Sequence, residues 1–133
     1  MDTQKSKVVI KKVLSWGVFD LLHLGHIQSL KKAKKLGHLT VGVFSDKVAE
    51  SFKRKPIIPE KQRLAMIKEL RCVDRAFILK KLVPDVKGYD IVAKGPGAEF
   101  ENTKFKIKKV LLPYHPINST TKIIKKIIDN NIS

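Results

Sequence analysis

The stretch "SWGVFDLLHLGHIQSLKKAKKLG", residues 15–37, carries an apolar run into a lysine-rich amphipathic one through two glycines and two histidines. Val8 to Trp16 is apolar and β-branched and ends at Gly17, the pattern of a buried strand. From His26 onward, Ile27, Leu30, Ala33 and Leu36 recur at helical spacing with lysines between them, and Gly37 supplies a C-terminal stop. "HLTVGVFS", residues 38–45, reads as a second strand, short and continuously apolar, as in a parallel sheet covered on both faces. Strand, helix and strand in succession predict a parallel βαβ unit.

The alternation continues outward from this unit. "KVAESFKRKPIIP", residues 47–59, reads as a basic, proline-containing loop, and "EKQRLAMIKELRCV", residues 60–73, as a helix. Its apolar side is expected to carry Leu64, Ile67 and Leu70 with Ala65 and Met66. "DRAFIL", "YDIVAKG" and "IKKVLLP" predict a third, fourth and fifth strand. "STTKIIKKIIDN", residues 119–130, predicts a final helix with hydroxyl N-caps and a buried stripe of Ile123, Ile124, Ile127 and Ile128. The expected fold is α/β: a doubly wound, five-stranded parallel sheet with helices on both faces, in a single domain over residues 1–133. Ligands of such sheets bind beyond the carboxyl ends of the strands.

Composition narrows the function. No run approaches the roughly 18 uninterrupted apolar residues of a membrane span. The first residues, "MDTQKSKVVIKKV", are too charged for a secretory signal. The single cysteine, Cys72, excludes an internal disulfide, fits a reducing, cytoplasmic setting, and is expected to be a small core residue. Lysine and arginine number 28 against 12 acidic residues, a net charge of +16 that favours polyanions such as nucleic acid or phosphorylated small molecules. Few aromatics lie among those charges, so no stacking platform for single-stranded nucleic acid is visible.

The two histidines fall where the first strand gives way to the first helix. The unpaired N–H groups of a helix start attract phosphate, and imidazoles three apart share one side of a turn and can both donate to an anion. His23 and His26 are therefore candidate phosphate ligands, with Gly17 and Gly25 leaving room for close approach. A metal site is disfavoured by the lack of an H-E-x-x-H pattern and of an obvious third ligand. Ser119, Thr120 and Thr121 open the last helix at the same sheet edge and form a second anion seat. Lys53, Arg54 and Lys55, with Arg63 beyond them, are placed to clamp developing phosphate charge. Asp20 either orients the turn or caps the helix.

"GVFDLLHLGHIQSLKKAKKLG", "RKPIIPEKQRLAMIKELRCVD" and "INSTTKIIKKI" together resemble the nucleotidyltransferase superfamily marked by an H-x-G-H signature, nearest its glycerol-3-phosphate cytidylyltransferase-like branch. The resemblance spans roughly Val8 to Ile128. It implies a Rossmann-like fold and transfer of CMP from CTP to a phosphate monoester such as glycerol 3-phosphate, releasing pyrophosphate. It also implies Mg²⁺ bound mainly through the triphosphate, no metal held by the protein itself, and a homodimer. By the same resemblance, Gly17, Val18, Phe19, Asp20, His23, His26, Gly95, Ser119, Thr120 and Thr121 would bind the nucleotide. His23, His26, Lys53 and Arg63 would be catalytic, and Lys53, Lys55 and Arg63 would bind the acceptor phosphate. The chain departs from the branch at "YHPIN", residues 114–118, where an arginine is usual, and at "KGPGAEF", residues 94–100, where acidic residues are common. Those departures leave ATP open beside CTP, with a sugar (heptose) phosphate or flavin mononucleotide (FMN) as acceptor. A basic nucleic-acid-binding domain or a non-catalytic nucleotide-binding domain is the alternative of another class.

Overall fold

The computed structural model describes residues 9–94, 107–112 and 120–131. Five strands, β1 (Lys12–Gly17), β2 (His38–Phe44), β3 (Arg75–Leu79), β4 (Ile91–Lys94) and β5 (Lys108–Leu111), form one parallel sheet in the order β3-β2-β1-β4-β5. The helices are α1 (Leu24–Lys34), α2 (Asp46–Phe52), α3 (Glu60–Lys68) and α4 (Thr120–Asn130). The doubly wound expectation holds. The chain moves outward from β1 to β2 and β3, then returns to the other side of β1 for β4 and β5. The order therefore reverses between β1 and β4, the crevice where open α/β sheets hold ligands.

Alternation along the central strands divides the core into two layers. Val13, Leu39, Val41, Val43, Ile91 and Ala93 face Leu30 and Ala33 of α1 and Ile67 of α3. Leu14, Trp16, Phe44, Leu79 and Val92 face the other way, towards Ala49 of α2. Full burial of each such aliphatic side chain is worth about 1.5–3 kcal/mol. Gly42 on β2 clears the second layer: a Cβ there would lie 3.1 Å from the Phe77 ring and 3.3 Å from Leu79.

Several sequence expectations shift. The first strand begins at Lys12 rather than Val8; Val9 and Ile10 are exposed, and Val8 lies outside the described residues. The first helix begins at Leu24, ahead of His26, because His23 caps it. The supposed loop from residue 47 opens with a two-turn helix, α2, whose N-cap Ser45 accepts a hydrogen bond from the Val48 N–H at 3.2 Å. On α3, Ala65 and Met66 face solvent, while Arg63 takes the buried position one turn before Ile67. The isoleucine stripe of α4 is only partly covered: Ile123 and Ile124 are half-buried, but Ile127 and Ile128 are exposed. Cys72 is half-buried against the α1–α3 layer, and that burial raises its thiol pKa.

Candidate functional site

The turn from β1 to α1 is held in an uncommon backbone path. Phe19 and Leu21 take φ values of 55° and 50°, left-handed conformations that non-glycine residues seldom adopt. Each costs on the order of 1–3 kcal/mol and persists only where surrounding bonds enforce it. Here they do. The Asp20 carboxylate accepts from the N–H groups of Ile57 and Ile58 at 2.8 and 2.9 Å. Its backbone carbonyl accepts the Thr120 hydroxyl at 2.5 Å. The buried Phe19 ring lies over Gly17, where a Cβ would come within 3.1 Å of it, and meets the His26 ring edge-on at 5.4 Å. The space left by Gly17, expected to admit a ligand, is filled by Phe19.

His23 and His26 close a reciprocal cap on α1. His23 Nδ1 accepts from the Gly25 N–H at 3.1 Å, and His26 Nδ1 accepts from the His23 N–H at 3.2 Å. The two rings stack with centroids 3.8 Å apart. A neutral imidazole whose Nδ1 accepts carries its proton on Nε2, so each ring keeps one N–H donor away from the helix backbone. Charge is suppressed on both. Burial, then His23 and Lys53, push His26 down to about 3, while burial and Lys53 lower His23. At neutral pH the pair is thus two uncharged donors stacked at the positive end of a helix.

The segment after α2 brings cations to this corner. Lys53 caps the end of α2 and lies near enough to depress both imidazoles, and Lys55 is exposed two residues on. Arg54 donates from Nη1 to Thr121 Oγ1 at 3.4 Å, linking the loop to the start of α4. Arg63 departs from its expected phosphate contact. It is 1% exposed and donates from Nε to the Ile58 carbonyl, from Nη1 to the carbonyls of Val18 and Phe44, and from Nη2 to Asp46 at 2.6 Å. Its guanidinium ties the strand ends to the loop rather than facing the cleft. Thr120 likewise spends its buried hydroxyl on Asp20, whereas Thr121, the other described threonine of that helix start, is exposed.

The structure therefore gathers Gly17, Val18, Phe19, Asp20, His23, His26, Lys53, Thr120 and Thr121 around the carboxyl end of β1. Gly95 and Ser119 lie outside the described residues, as do Tyr114 to Asn118. Sequence reading missed Arg54's link to Thr121 and the left-handed turn; neither leaves a local signal. Among the described residues, no three His, Cys, Asp or Glu side chains converge as a metal site, and no helix is long and apolar enough to cross a membrane. Both histidine Nδ1 atoms and the Asp20 carboxylate are already engaged, so these side chains do not form a cage for a hard cation. The arrangement can bind phosphate oxygens with neutral and cationic donors.

A family profile described as cytidylyltransferase-like matches residues 14–127. An FAD synthase of Thermoplasma volcanium is 37% identical over 135 residues, covering 89% of this chain and 94% of that protein. An FAD synthase of Methanohalophilus mahii is 40% identical over 135 residues, with coverage of 89% and 94%. The crystal structure of a lipopolysaccharide core biosynthesis protein from Thermoplasma volcanium superposes with a TM-score of 0.65 at 35% identity, over 80% of this chain and 99% of that one.

Proposed function

From the premise that this chain belongs to the cytidylyltransferase-like family and is a nucleotidyltransferase, we propose that it transfers AMP from ATP to FMN, releasing pyrophosphate. Relatives named FAD synthase, matched over nearly their whole length, support this adenylyl reading over CMP transfer to glycerol 3-phosphate. Among the site's features, the bond from Thr120 to the Asp20 carbonyl carries most weight, because it joins the turn leading into α1 to the start of α4. Leu24, Phe52 and Ile57, next in sequence to His23, Lys53 and Ile58, are 57%, 42% and 60% exposed, and such apolar side chains support a flavin acceptor over glycerol.

In this reading an oxygen of the FMN phosphate attacks the α-phosphorus in line. A new P–O bond forms as the bond to the β-phosphate oxygen breaks, and pyrophosphate departs with that electron pair. His23 and His26 donate from Nε2 to the oxygens of the α-phosphate as charge moves across it. Lys53 and Lys55 neutralise the incoming phosphate, and Ser119 and Thr121 with the start of α4 hold the outer phosphates. Mg²⁺ carried on the triphosphate would screen its oxygens and the leaving charge. Asp20 and Arg63 hold the turn and loop in register. A homodimer in the cytoplasm completes this reading.

The test supplies each of the four triphosphates with FMN, glycerol 3-phosphate or a heptose phosphate, and measures pyrophosphate and product. Pyrophosphate and FAD from ATP with FMN alone is the expected result. Turnover with CTP and glycerol 3-phosphate would restore the cytidylyl reading. Turnover with ATP and the heptose phosphate would select the sugar acceptor, which the name of the structural neighbour favours.

A further inference from the structure

A second group of cations gathers at the far end of α1. Between Leu24 and Lys34 this helix holds no acidic residue, and it closes in Lys31, Lys32, Lys34 and the cap Lys35. Lys31 and Lys35 are exposed and lie four apart, a like-charge spacing that destabilises a helix. The negative end of the helix dipole, about half an elementary charge, offsets only part of this cluster. Two other segments add to it. The His38 N–H, just past α1, bonds the carbonyl of exposed Lys11 at 2.9 Å. In the turn before β3, exposed Arg71 precedes Cys72, whose thiol feels the charges of both Lys31 and Lys34. Asp74, the carboxylate in their midst, is already engaged by Lys34 Nζ at 2.6 Å and the Leu39 N–H at 2.8 Å. Glu69, at the end of α3, is matched by its neighbour Lys68. At 1.5 Å per residue, Lys35 lies roughly 18 Å along α1 from His23, so a phosphate held at the H-x-G-H turn does not neutralise this rim.

We propose that Lys11, Lys31, Lys35 and Arg71 form a docking surface for the phosphate backbone of a nucleic-acid duplex, separate from the transfer site. All four are exposed, so each gains little from a lone small ion. They gain together when several linked phosphates bind and release their condensed counterions. Backbone contact needs cations on a rigid frame and no group that reads bases, which is what a helix end flanked by two turns supplies. The surface is independent of which triphosphate or acceptor the transfer site uses.

The full chain is titrated into a fluorescent mixed-sequence DNA duplex, and anisotropy is followed across a salt series. Lys31→Gln, Lys35→Gln and Arg71→Gln are combined in one variant. A second combines Lys80→Gln, Lys81→Gln and Lys87→Gln, removing the same charge from exposed positions between β3 and β4. The first variant should bind roughly tenfold to hundredfold more weakly at about 50 mM salt, with a shallower dependence on salt. The second should stay within a fewfold of the unaltered chain. Both should keep the transferase rate, and ATP with Mg²⁺ should not displace the duplex. Lys35→Gln and Arg71→Gln alone, each losing a smaller part, keep the test decisive where the triple variant melts early. Equal weakening by the two triple variants would make the attraction diffuse and overturn the proposal. So would displacement by ATP, absence of duplex binding, or binding of phosphatidylserine vesicles in its place.

Discussion

Two sides of one cleft are built by opposite means. On the α1 side, almost every polar group of the turn is engaged: Arg63 holds Val18, Phe44, Asp46 and Ile58, Asp20 holds residues 57 and 58, and two histidines cap the helix. On the α4 side, among the described residues, Thr120 bonds Asp20, Arg54 reaches Thr121, and two of the four isoleucines expected in the core are exposed. The first is a platform preorganised by its own hydrogen bonds. Two arginines nine positions apart display the contrast: Arg63 is fully engaged inside the fold, whereas Arg54 is half-buried and reaches Thr121 at 3.4 Å.

That contrast can be broken most sharply at the histidines. On the proposed mechanism, His26→Ala removes one donor to the reacting phosphate and should lower kcat by roughly a hundredfold to a thousandfold. His23→Asn keeps a side-chain oxygen to accept the Gly25 N–H, so it should lose rate while melting near wild type. Equal losses of rate and melting temperature in both variants would mean that the pair serves only as a cap.

Arg63→Met tests the platform itself. It strands the carbonyls of Val18, Phe44 and Ile58 and leaves Asp46 without its partner. The expected loss is on the order of 3 kcal/mol in urea unfolding, nearer the low end of buried-pair effects because Asp46 is partly exposed. Wild-type stability with a raised acceptor KM would instead return Arg63 to the phosphate contact read from the sequence.

The mildest change comes from pH. His26 binds its proton near 6.5 in the unfolded chain but only at about 3 in the fold, so between those values the unfolded state holds more protons. Stability should be full above pH 6.5 and fall below it, by up to about 1.4 kcal/mol per pH unit, with His23 adding in the same direction. Urea midpoints from pH 7.5 to 5 check this, and His26→Gln should flatten the slope. An unchanged slope in that variant would place the titration elsewhere.

Much of the architecture was legible because burial imposes periodicity on neighbouring residues. The runs at residues 38–44 and 91–93 are apolar since both faces of a central parallel strand are covered. Short α2 was misread, although Ser45 and Asp46 are ordinary helix-start residues, because the lysines and proline after it outweighed two turns. Arg63 was misread because a charged side chain inside an amphipathic helix ordinarily faces water. The histidines were located correctly, but their capping role was hidden, since imidazole is not among the common N-cap side chains.

The sequence alone determined the alternating α/β pattern, the position of the H-x-G-H turn at a strand's end, and the supply of cations and hydroxyls in the segments around it. Only the tertiary structure decided which of these groups face the cleft and which are consumed in building it. Asp20 meets partners 37, 38 and 100 positions away, and Arg63 meets one 45 positions away. Periodicity is a local consequence of burial, whereas a hydrogen-bond partner is whatever the folded chain brings within about 3 Å.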